Sequence, residues 1–169
     1  TFPDRQIKLC APTGKASRRM NEVISLPAQT IHKTLNYLPF SPDSIMDIEC
    51  DLLIIDEVSM VDIDLFHKIL SHIKPQTSIV LIGDYNQIPS VGPGLILRDL
   101  IDSGKIPTTI LTKVFRQSNG SSITSVAYDV LNNTPQNIKD RESNSDFIFY
   151  NTSSTIQTTR IIEKYIEKM

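Results

Sequence analysis

The chain has 169 residues, of which 40% are hydrophobic and 21% are charged, and its formal net charge is −2. This composition is ordinary for a soluble globular protein, and the length suffices for one domain with a buried core. The sequence has neither an apolar stretch of the roughly 20 residues that a membrane span needs nor a basic-plus-apolar leader. We therefore expect a cytoplasmic protein without membrane contact. Because the chain begins with Thr1 instead of methionine, we also expect it to be a piece of a longer product.

The charges are unevenly distributed along the chain. Residues 1–35 carry six Lys or Arg against two Asp or Glu, and residues 36–135 carry six against twelve. Residues 136–169 balance at five and five. A basic segment before an acidic one fits a protein that contacts phosphates at one place and a metal ion at another, although solvated faces alone also give this pattern.

The two cysteines, Cys10 and Cys50, lie at the edges of apolar runs. A disulfide or a metal site would require partners at suitable spacing, and the sequence offers none. We therefore expect both cysteines to be buried free thiols.

Apolar runs alternate with amphipathic stretches along the chain. Strands are predicted at residues 7–13, 51–57, 78–84, 108–115 and 146–151. Helices are predicted at residues 61–73, 93–103, 121–132 and 153–168, and the clearest loop is 132–146. Most of these strands lack in/out alternation, which is typical of parallel sheets covered on both faces. The order of elements predicts an α/β domain with a mostly parallel sheet, whose ligands gather at the carboxyl ends of the strands.

The stretch LCAPTGKAS (9–17) follows the first predicted strand and opens a helix. A phosphate-binding Walker A loop at this place would read G-x-x-x-x-G-K-[ST]. Gly14 and Lys15 match the pattern, but Leu9 stands at the first glycine and Ala16 at the magnesium-binding hydroxyl. The stretch is therefore not a Walker A loop.

The same turn has features of a different phosphate site. Thr13, Gly14 and Lys15 stand at a helix start, where free N–H groups and the helix dipole favour anions. Arg18 and Arg19 add positive charge nearby. The alternative is a plain strand-to-helix turn with a solvated basic face.

The segment TIHKT (30–34) begins with Thr30, which suits a helix N-cap. His32 has no companions at metal-ligand spacing. The segment is either simply a capped helix or a contact to a nucleic-acid backbone.

Asp56 and Glu57 end the most apolar strand, in LLIIDEVSMVD (52–62). Burial of adjacent carboxylates without a partner is costly, so we expect them at the exposed tip of the strand. In a nucleotide hydrolase, Asp56 would bind magnesium and Glu57 would orient or deprotonate the attacking water. The alternative is a strand that ends in a polar loop.

The next strand ends in LIGDYNQIPSVGPG (81–94), where Gly83 and Asp84 turn the chain. Gln87 lies close to the strand tip and would sense a terminal phosphate or position a water molecule. The glycines and prolines of residues 89–94 predict a stiff loop that supports another part of the site; a simple turn is the alternative.

The segment KVFRQ (113–117) ends the following predicted strand. Arg116 would supply a cation to a transferring phosphoryl group. A lone arginine is more often a surface salt-bridge partner, and this alternative stays open.

Five segments together carry a resemblance that no single one carries. They are APTGKASRRM, TIHKTL, LLIIDEVSMVD, LIGDYNQIPSVGPGLILRDL and LTKVFRQ, in this order, within residues 7–120. They resemble the successive motifs of the first motor domain of RecD-type superfamily 1 DNA helicases, the family of the exodeoxyribonuclease V alpha subunit. The resemblance implies a RecA-like P-loop NTPase domain, with residues 1–169 forming part of one such domain.

The resemblance implies a role for each matching residue. For nucleotide binding and catalysis the matching residues are Asp56 as the magnesium ligand, Glu57 as the catalytic glutamate, and Gln87 and Arg116 at the γ-phosphate. For single-stranded DNA the matching residues are Pro12, Thr13, Gly14, Lys15, Arg18, Thr30 and His32. The implied cofactors are ATP and Mg²⁺, and the implied activity is 5′-to-3′ translocation. Other subunits of a nuclease–helicase complex are further expected partners.

One departure from the family limits the expected activity. In the family a Walker A unit precedes the segment that starts here, and its strand lies inside the sheet between neighbours that this chain supplies. A second motor domain completes the cleft. We therefore expect an ATP-dependent helicase in the parent protein and an essentially inactive isolated chain.

Three alternatives compete with this interpretation. The chain could be a non-catalytic module that binds single-stranded DNA or a partner subunit through the basic residues 5–33. A different P-loop ATPase is disfavoured by the Gln87 motif and TIHKT. A two-acid nuclease would need more carboxylates than Asp56 and Glu57 provide.

Overall fold

A computed structural model of the chain describes residues 5–38, 44–111, 122–134 and 146–167. The chain divides into two compact units, Thr1–Thr109 and Ile110–Met169. Within the described ranges, no helix has the length and apolar character that a bilayer crossing requires.

The first unit alternates strands and helices. Its strands are β1 (Ile7–Ala11), β2 (Ala28–Thr30), β3 (Leu52–Ile55) and β4 (Ser78–Leu81). Its helices are α1 (Gly14–Val23), α2 (Ile31–Thr34), α3 (Ile63–Ser71) and α4 (Ile96–Asp102), and a 3₁₀ turn at Val58–Met60 follows β3. The second unit contains α5 (Ser122–Leu131) and α6 (Thr155–Ile166).

The four strands form one parallel sheet in the order β2-β1-β3-β4. Leu9 of β1 lies opposite Ala28 on one side and Ile54 on the other, and Ile54 in turn faces Val80 of β4. The predicted α/β architecture with a parallel sheet is therefore confirmed.

Apolar layers cover both faces of the central strands. Successive residues of a strand point to opposite faces. Cys10 belongs to a cluster with Leu53 and Ile55, whereas Leu9 and Ala11 belong to a second cluster. The first cluster is completed by residues of α2, α3 and α4, including Ile31, Ile69 and Leu97, and the second by Met20 of α1 and by Ala28. This two-sided burial explains why the strand sequences lack in/out alternation.

Strand β4 is an edge of the described sheet, and its Val80 side chain is 43% exposed. The four strands pair without a gap. No gap lies between any two of the four described strands, and the missing strand that the family resemblance implies stays a prediction. A further strand would have to add outside them, and β4 offers an open edge with the exposed apolar side chain of Val80.

Two strand predictions were wrong within the described residues. Residues 108–111 form no strand, and residues 112–115 lie outside the described part of the chain. Residues 146–151 are also irregular, with the Tyr150 hydroxyl hydrogen-bonded to that of Tyr165 at 2.8 Å. Both segments have the β-branched and aromatic residues that favour strands, but such residues form a strand only beside a pairing partner. Most of the predicted loop at 132–146 lies outside the described residues.

Both cysteines are buried free thiols, as predicted, and burial raises the pKa of Cys10 to about 12. The unfolded thiol, with a pKa near 9.0, loses its proton first as pH rises. The free energy of unfolding is therefore expected to fall above pH 9, by about 2 kcal/mol between pH 9 and about 10.5 from this group alone. Urea unfolding of the chain across this range should show the fall, and Cys10→Ala should flatten it. Equal slopes in both proteins would contradict this account.

Candidate functional site

The candidate site lies along the carboxyl edge of the sheet, where the predicted motifs come together. Ala11 lies opposite Thr30, and Ile55 lies opposite both Cys10 and Leu81. The segments that follow the strands therefore line one edge in the order Thr30, 12–15, 56–57 and 82–87. At about 4.8 Å per strand, the edge spans roughly 14 Å from β2 to β4. The DNA-contacting candidates lie in one half, and the described nucleotide-binding candidates Asp56, Glu57 and Gln87 lie in the other.

Helix α1 starts at this edge, where Thr13 caps one N–H group and the residues that follow are exposed to solvent. The Thr13 hydroxyl accepts a hydrogen bond from the Ala16 N–H at 3.2 Å, and the Arg18 Nε donates to the Gly14 carbonyl at 3.2 Å. A Cβ added at Gly14 would meet nothing within 4 Å, and Lys15 is exposed. The other N–H groups of the first turn are not engaged by this cap. They lie beside an accessible basic surface that an anion can reach.

Helix α2 begins at the end of β2, and Thr30 caps it as predicted. The Thr30 hydroxyl accepts a hydrogen bond from the Lys33 N–H at 3.2 Å. The imidazole of exposed His32 stacks on the Tyr37 ring with centroids 5.5 Å apart and planes 16° apart. On α3, the Lys68 ammonium lies 5.1 Å from the centroid of the same tyrosine ring. The sequence reasoning found His32 but missed Tyr37 and Lys68.

The paired acids follow β3 in an unusual backbone conformation. The Asp56 N–H donates to the Cys10 carbonyl at 2.9 Å, which holds the end of β3 against β1. One carboxylate oxygen of Asp56 accepts from the Glu57 N–H at 2.9 Å. Glu57 is left-handed, with φ 54° and ψ 40°, and both acids are half-buried. A non-glycine residue in this region costs on the order of 1 kcal/mol, and such strain concentrates at functional sites.

The loop after β4 presents Gln87 at the same edge. Asp84 folds the turn, because its carboxylate accepts from the Asn86 N–H at 2.9 Å and its carbonyl accepts from the Gln87 N–H at 3.1 Å. Gln87 is exposed, and its side-chain amide makes no hydrogen bond within the part of the chain that the structure describes. This amide is therefore available to a ligand.

The acid loop and the Gln87 loop are in direct contact. The Val58 N–H donates to the Ile82 carbonyl at 3.0 Å. A Cβ added at Gly83 would lie 3.1 Å from the Val58 nitrogen and 3.2 Å from the Ser59 nitrogen. A side chain at position 83 would crowd the backbone of the acid loop, so a displacement of one loop would be transmitted to the other.

The stiff loop that follows Gln87 supports the start of α3. The Asp62 carboxylate caps this helix by accepting from the Leu65 N–H at 2.8 Å. A Cβ added at Gly92 would lie 2.8 Å from the Asp62 Cβ and Cγ, and the Pro93 carbonyl accepts from the Ile63 N–H at 2.9 Å. The sequence predicted a supporting loop, and the structure identifies the capped end of α3 as what it supports.

The described side chains suit a magnesium ion bound mainly by its nucleotide and by water. No group of three His, Cys, Asp or Glu residues that could hold a metal occurs among the described residues. Asp56 has one carboxylate oxygen engaged by the Glu57 N–H, which leaves the other for a ligand. Magnesium in phosphate-transfer sites commonly uses one or two carboxylates with substrate oxygens and water. Arg116 lies outside the described residues.

Ser59 is a further side chain at the site that was not anticipated from the sequence. The Ser59 hydroxyl is buried without a hydrogen-bond partner within the described ranges. It follows Glu57 by two residues, in the 3₁₀ turn that contacts Gly83. An unpaired buried hydroxyl is uncommon and costly, so this hydroxyl is a candidate to bond a group that the described residues do not supply.

The sequence matches the family described as AAA domain over residues 3–157. The ATP-dependent RecD2 DNA helicase of Deinococcus radiodurans is 40% identical over 128 residues, which are 75% of this chain and 18% of that protein. The RecBCD enzyme subunit RecD of Buchnera aphidicola is 40% identical over 116 residues, with 56% of this chain and 19% of that protein covered. The chain thus spans about a fifth of the length of these curated relatives.

Solved structures with the same fold come from Bacteroides. The Pif1 helicase in complex with ADP-AlF3 and ssDNA gives a TM-score of 0.50 at 19% identity, covering 97% of this chain and 48% of that one. The unliganded Pif1 gives a TM-score of 0.51 at 21% identity, covering 83% and 40%. At this level of identity, the likeness concerns the fold alone.

A parallel sheet with paired acids at its carboxyl edge, together with the AAA-domain match, defines a RecA-like domain of the P-loop NTPase class. The matching relatives narrow the assignment further. The chain belongs to the AAA-domain family and, within it, to the RecD-type superfamily 1 helicases.

Proposed function

We propose that the protein carrying this chain is an ATP-dependent DNA helicase that moves 5′ to 3′ along single-stranded DNA. One observation supports this above all: a single edge of the sheet holds the paired acids and the Gln87 loop beside the open ends of α1 and α2. The name of the Deinococcus radiodurans relative, an ATP-dependent DNA helicase, points the same way.

In the nucleotide half, each side chain has a distinct task. Asp56 binds magnesium, which neutralises phosphate charge when it is present. Glu57 accepts a proton from the attacking water or orients it, and the strained backbone fixes where its carboxylate points. Gln87 contacts the terminal phosphate through its free amide, and Arg116 stabilises the charge that develops there.

In the DNA half, the first turns of two helices contact the sugar–phosphate backbone. Residues 12–15 present N–H groups and a lysine, and Arg18 adds charge from the next turn of α1. Thr30 extends this backbone contact to the neighbouring strand end, and His32 contacts the bound strand beside it. Such contacts are independent of base sequence, as a translocating motor requires.

The two halves are coupled through backbone contacts. Movement of Gln87 with the state of the nucleotide would shift Gly83, which packs on the turn after the acids. The Asp56 N–H in turn is bonded to the end of β1, directly before the DNA-contacting turn. This route supports a motor in which hydrolysis changes the grip on DNA.

The sequence of 169 residues contains no G-x-x-x-x-G-K-[ST] pattern. Without loop amides and a lysine on the β- and γ-phosphates, we expect a loss of about 5 kcal/mol of transition-state stabilisation, a factor of several thousand in rate. The isolated chain is accordingly proposed to be essentially inactive, and the activity belongs to the full-length protein. Other subunits of a nuclease–helicase complex are proposed partners, since one relative is named as a RecBCD subunit.

Steady-state ATPase assays with and without oligo-dT test the proposal. The full-length protein is expected to hydrolyse ATP when DNA is added, and residues 1–169 alone are expected to be several thousand-fold slower. Forked duplexes with only a 5′ or only a 3′ tail test the polarity, with unwinding expected on the 5′ tail. Oligonucleotide binding without ATPase in the full-length protein would favour the competing function, a non-catalytic DNA-binding module.

A further inference from the structure

A three-membered stack projects from the DNA half of the site. The His32 imidazole lies nearly parallel to the Tyr37 ring, and the Lys68 ammonium lies within cation–π distance of that ring. The Tyr37 ring therefore contacts both Lys68 and His32, and His32 is exposed to solvent.

The inner part of the stack is anchored. Tyr37 is partly buried and packs against the main core cluster. Its N–H donates to the His32 carbonyl at 2.8 Å, and Asn36 between them adopts a left-handed conformation with φ 51°. The backbone contacts and the core packing position Tyr37, and the imidazole of His32 stacks on its ring. A side chain fixed in advance loses less entropy on binding.

We propose that the outer face of His32 is a stacking platform for one nucleobase of the bound single strand. This inference rests on the proposed function. It adds Tyr37 to the site as the residue that positions His32, and Lys68 as the source of positive charge beside it. An exposed flat ring offers a base a partner for stacking, whatever its identity. Lys68 at the tyrosine ring and Lys33 next to His32 place positive charge near the path of the strand's phosphates.

The position of the platform fits the path of a strand along the edge. Thr30 lies directly opposite Ala11, so the starts of α1 and α2 are neighbours. A backbone bound at the first turn of α1 continues past Thr30 and brings the next base over His32. A base stacked there would resist sliding of the strand along the edge. A phosphate contact alone would resist such sliding only weakly.

Binding of two labelled oligonucleotides to the full-length protein tests the inference. One is oligo-dT, and the other has the same number of phosphates but abasic sugars throughout. Replacement of His32 by alanine should weaken oligo-dT binding about tenfold and leave the abasic strand within about twofold, because only a base can stack. The salt dependence of binding should not change, since no phosphate contact is lost.

Matched variants separate a platform from a fold defect. Tyr37→Leu should reproduce the loss on oligo-dT, and Tyr37→Phe should restore binding. His67→Ala removes another exposed histidine, on α3, and should have no effect. As a spectroscopic readout, 2-aminopurine in the oligonucleotide should be quenched by the wild type and less by His32→Ala.

The outcomes are distinguishable. An equal loss on both oligonucleotides would make His32 a backbone contact and overturn the platform, while the proposed function would stand. Unchanged binding of oligo-dT by His32→Ala would overturn it as well. If the wild type bound neither strand, the proposed function itself would fail.

Discussion

Replacement of Glu57 by glutamine in the full-length protein is expected to lower the kcat of DNA-stimulated ATP hydrolysis by about 10²- to 10⁴-fold. Glutamine keeps the size and the left-handed backbone conformation but cannot accept the proton of the attacking water. Because the proposed role concerns the transition state and not ground-state binding, the KM for ATP should stay within about twofold. Steady-state kinetics at saturating oligo-dT measure both constants.

A matched control for this substitution is Glu49→Gln. Glu49 is an exposed carboxylate that precedes β3 and pairs with Lys74 at 2.9 Å, away from the carboxyl edge. Its replacement should leave kcat unchanged. If Glu57→Gln retained the wild-type kcat, the proton acceptor would have to be another group, and the proposed role of Glu57 would be refuted.

Replacement of Gly92 by alanine is expected to lower the free energy of unfolding by about 1–3 kcal/mol, the usual cost of overpacking. The added Cβ would enter the space of the Asp62 side chain, whose carboxylate caps α3. Either the cap or the loop must move, and movement of the loop displaces Gln87 at its other end. DNA-stimulated ATPase should therefore fall together with stability.

A double substitution isolates this contact. Asp62→Gly removes the obstructing side chain, and glycine at a helix N-cap costs only a few tenths of a kcal/mol relative to the usual cap residues. In Asp62→Gly protein, Gly92→Ala should therefore be nearly neutral, as urea unfolding can show. Gly14→Ala is the control glycine, since an added Cβ there meets nothing. If Gly92→Ala still lowered the free energy of unfolding by the full amount in the double variant, the effect would not come from the contact with Asp62.

The sequence predicted those features that local patterns encode. Long apolar runs identified β1, β3 and β4, and helical spacing identified α3 to α6. Strand β2 was missed because its three residues are too few to show a period. Parallel sheets bind ligands at the carboxyl ends of their strands, and this rule alone was enough to place Asp56 and Gln87 at one edge.

Features that depend on tertiary contacts could not be predicted. The left-handed backbone conformation of Glu57 could not be predicted from its residue type, since glutamate rarely adopts this conformation. The approach of Gly92 to Asp62 joins residues far apart in sequence, and the stack on Tyr37 depends on how the chain leaves α2. At 108–111 and 146–151 the error was the reverse, since strands were predicted and the structure has none. Strand-forming composition does not create a pairing partner.

The backbone of Glu57 has an evolutionary consequence. Glycine adopts its conformation without strain, so a mutation to glycine would relieve on the order of 1 kcal/mol while deleting the carboxylate. Folding therefore does not select for the acid at this position, whereas ATP turnover does under the proposed function. In a duplicated gene freed from that selection, the change is expected to leave a folded protein that has lost ATP hydrolysis and has kept the proposed DNA contacts. We therefore expect a relative with glycine at this position to have lost ATP hydrolysis.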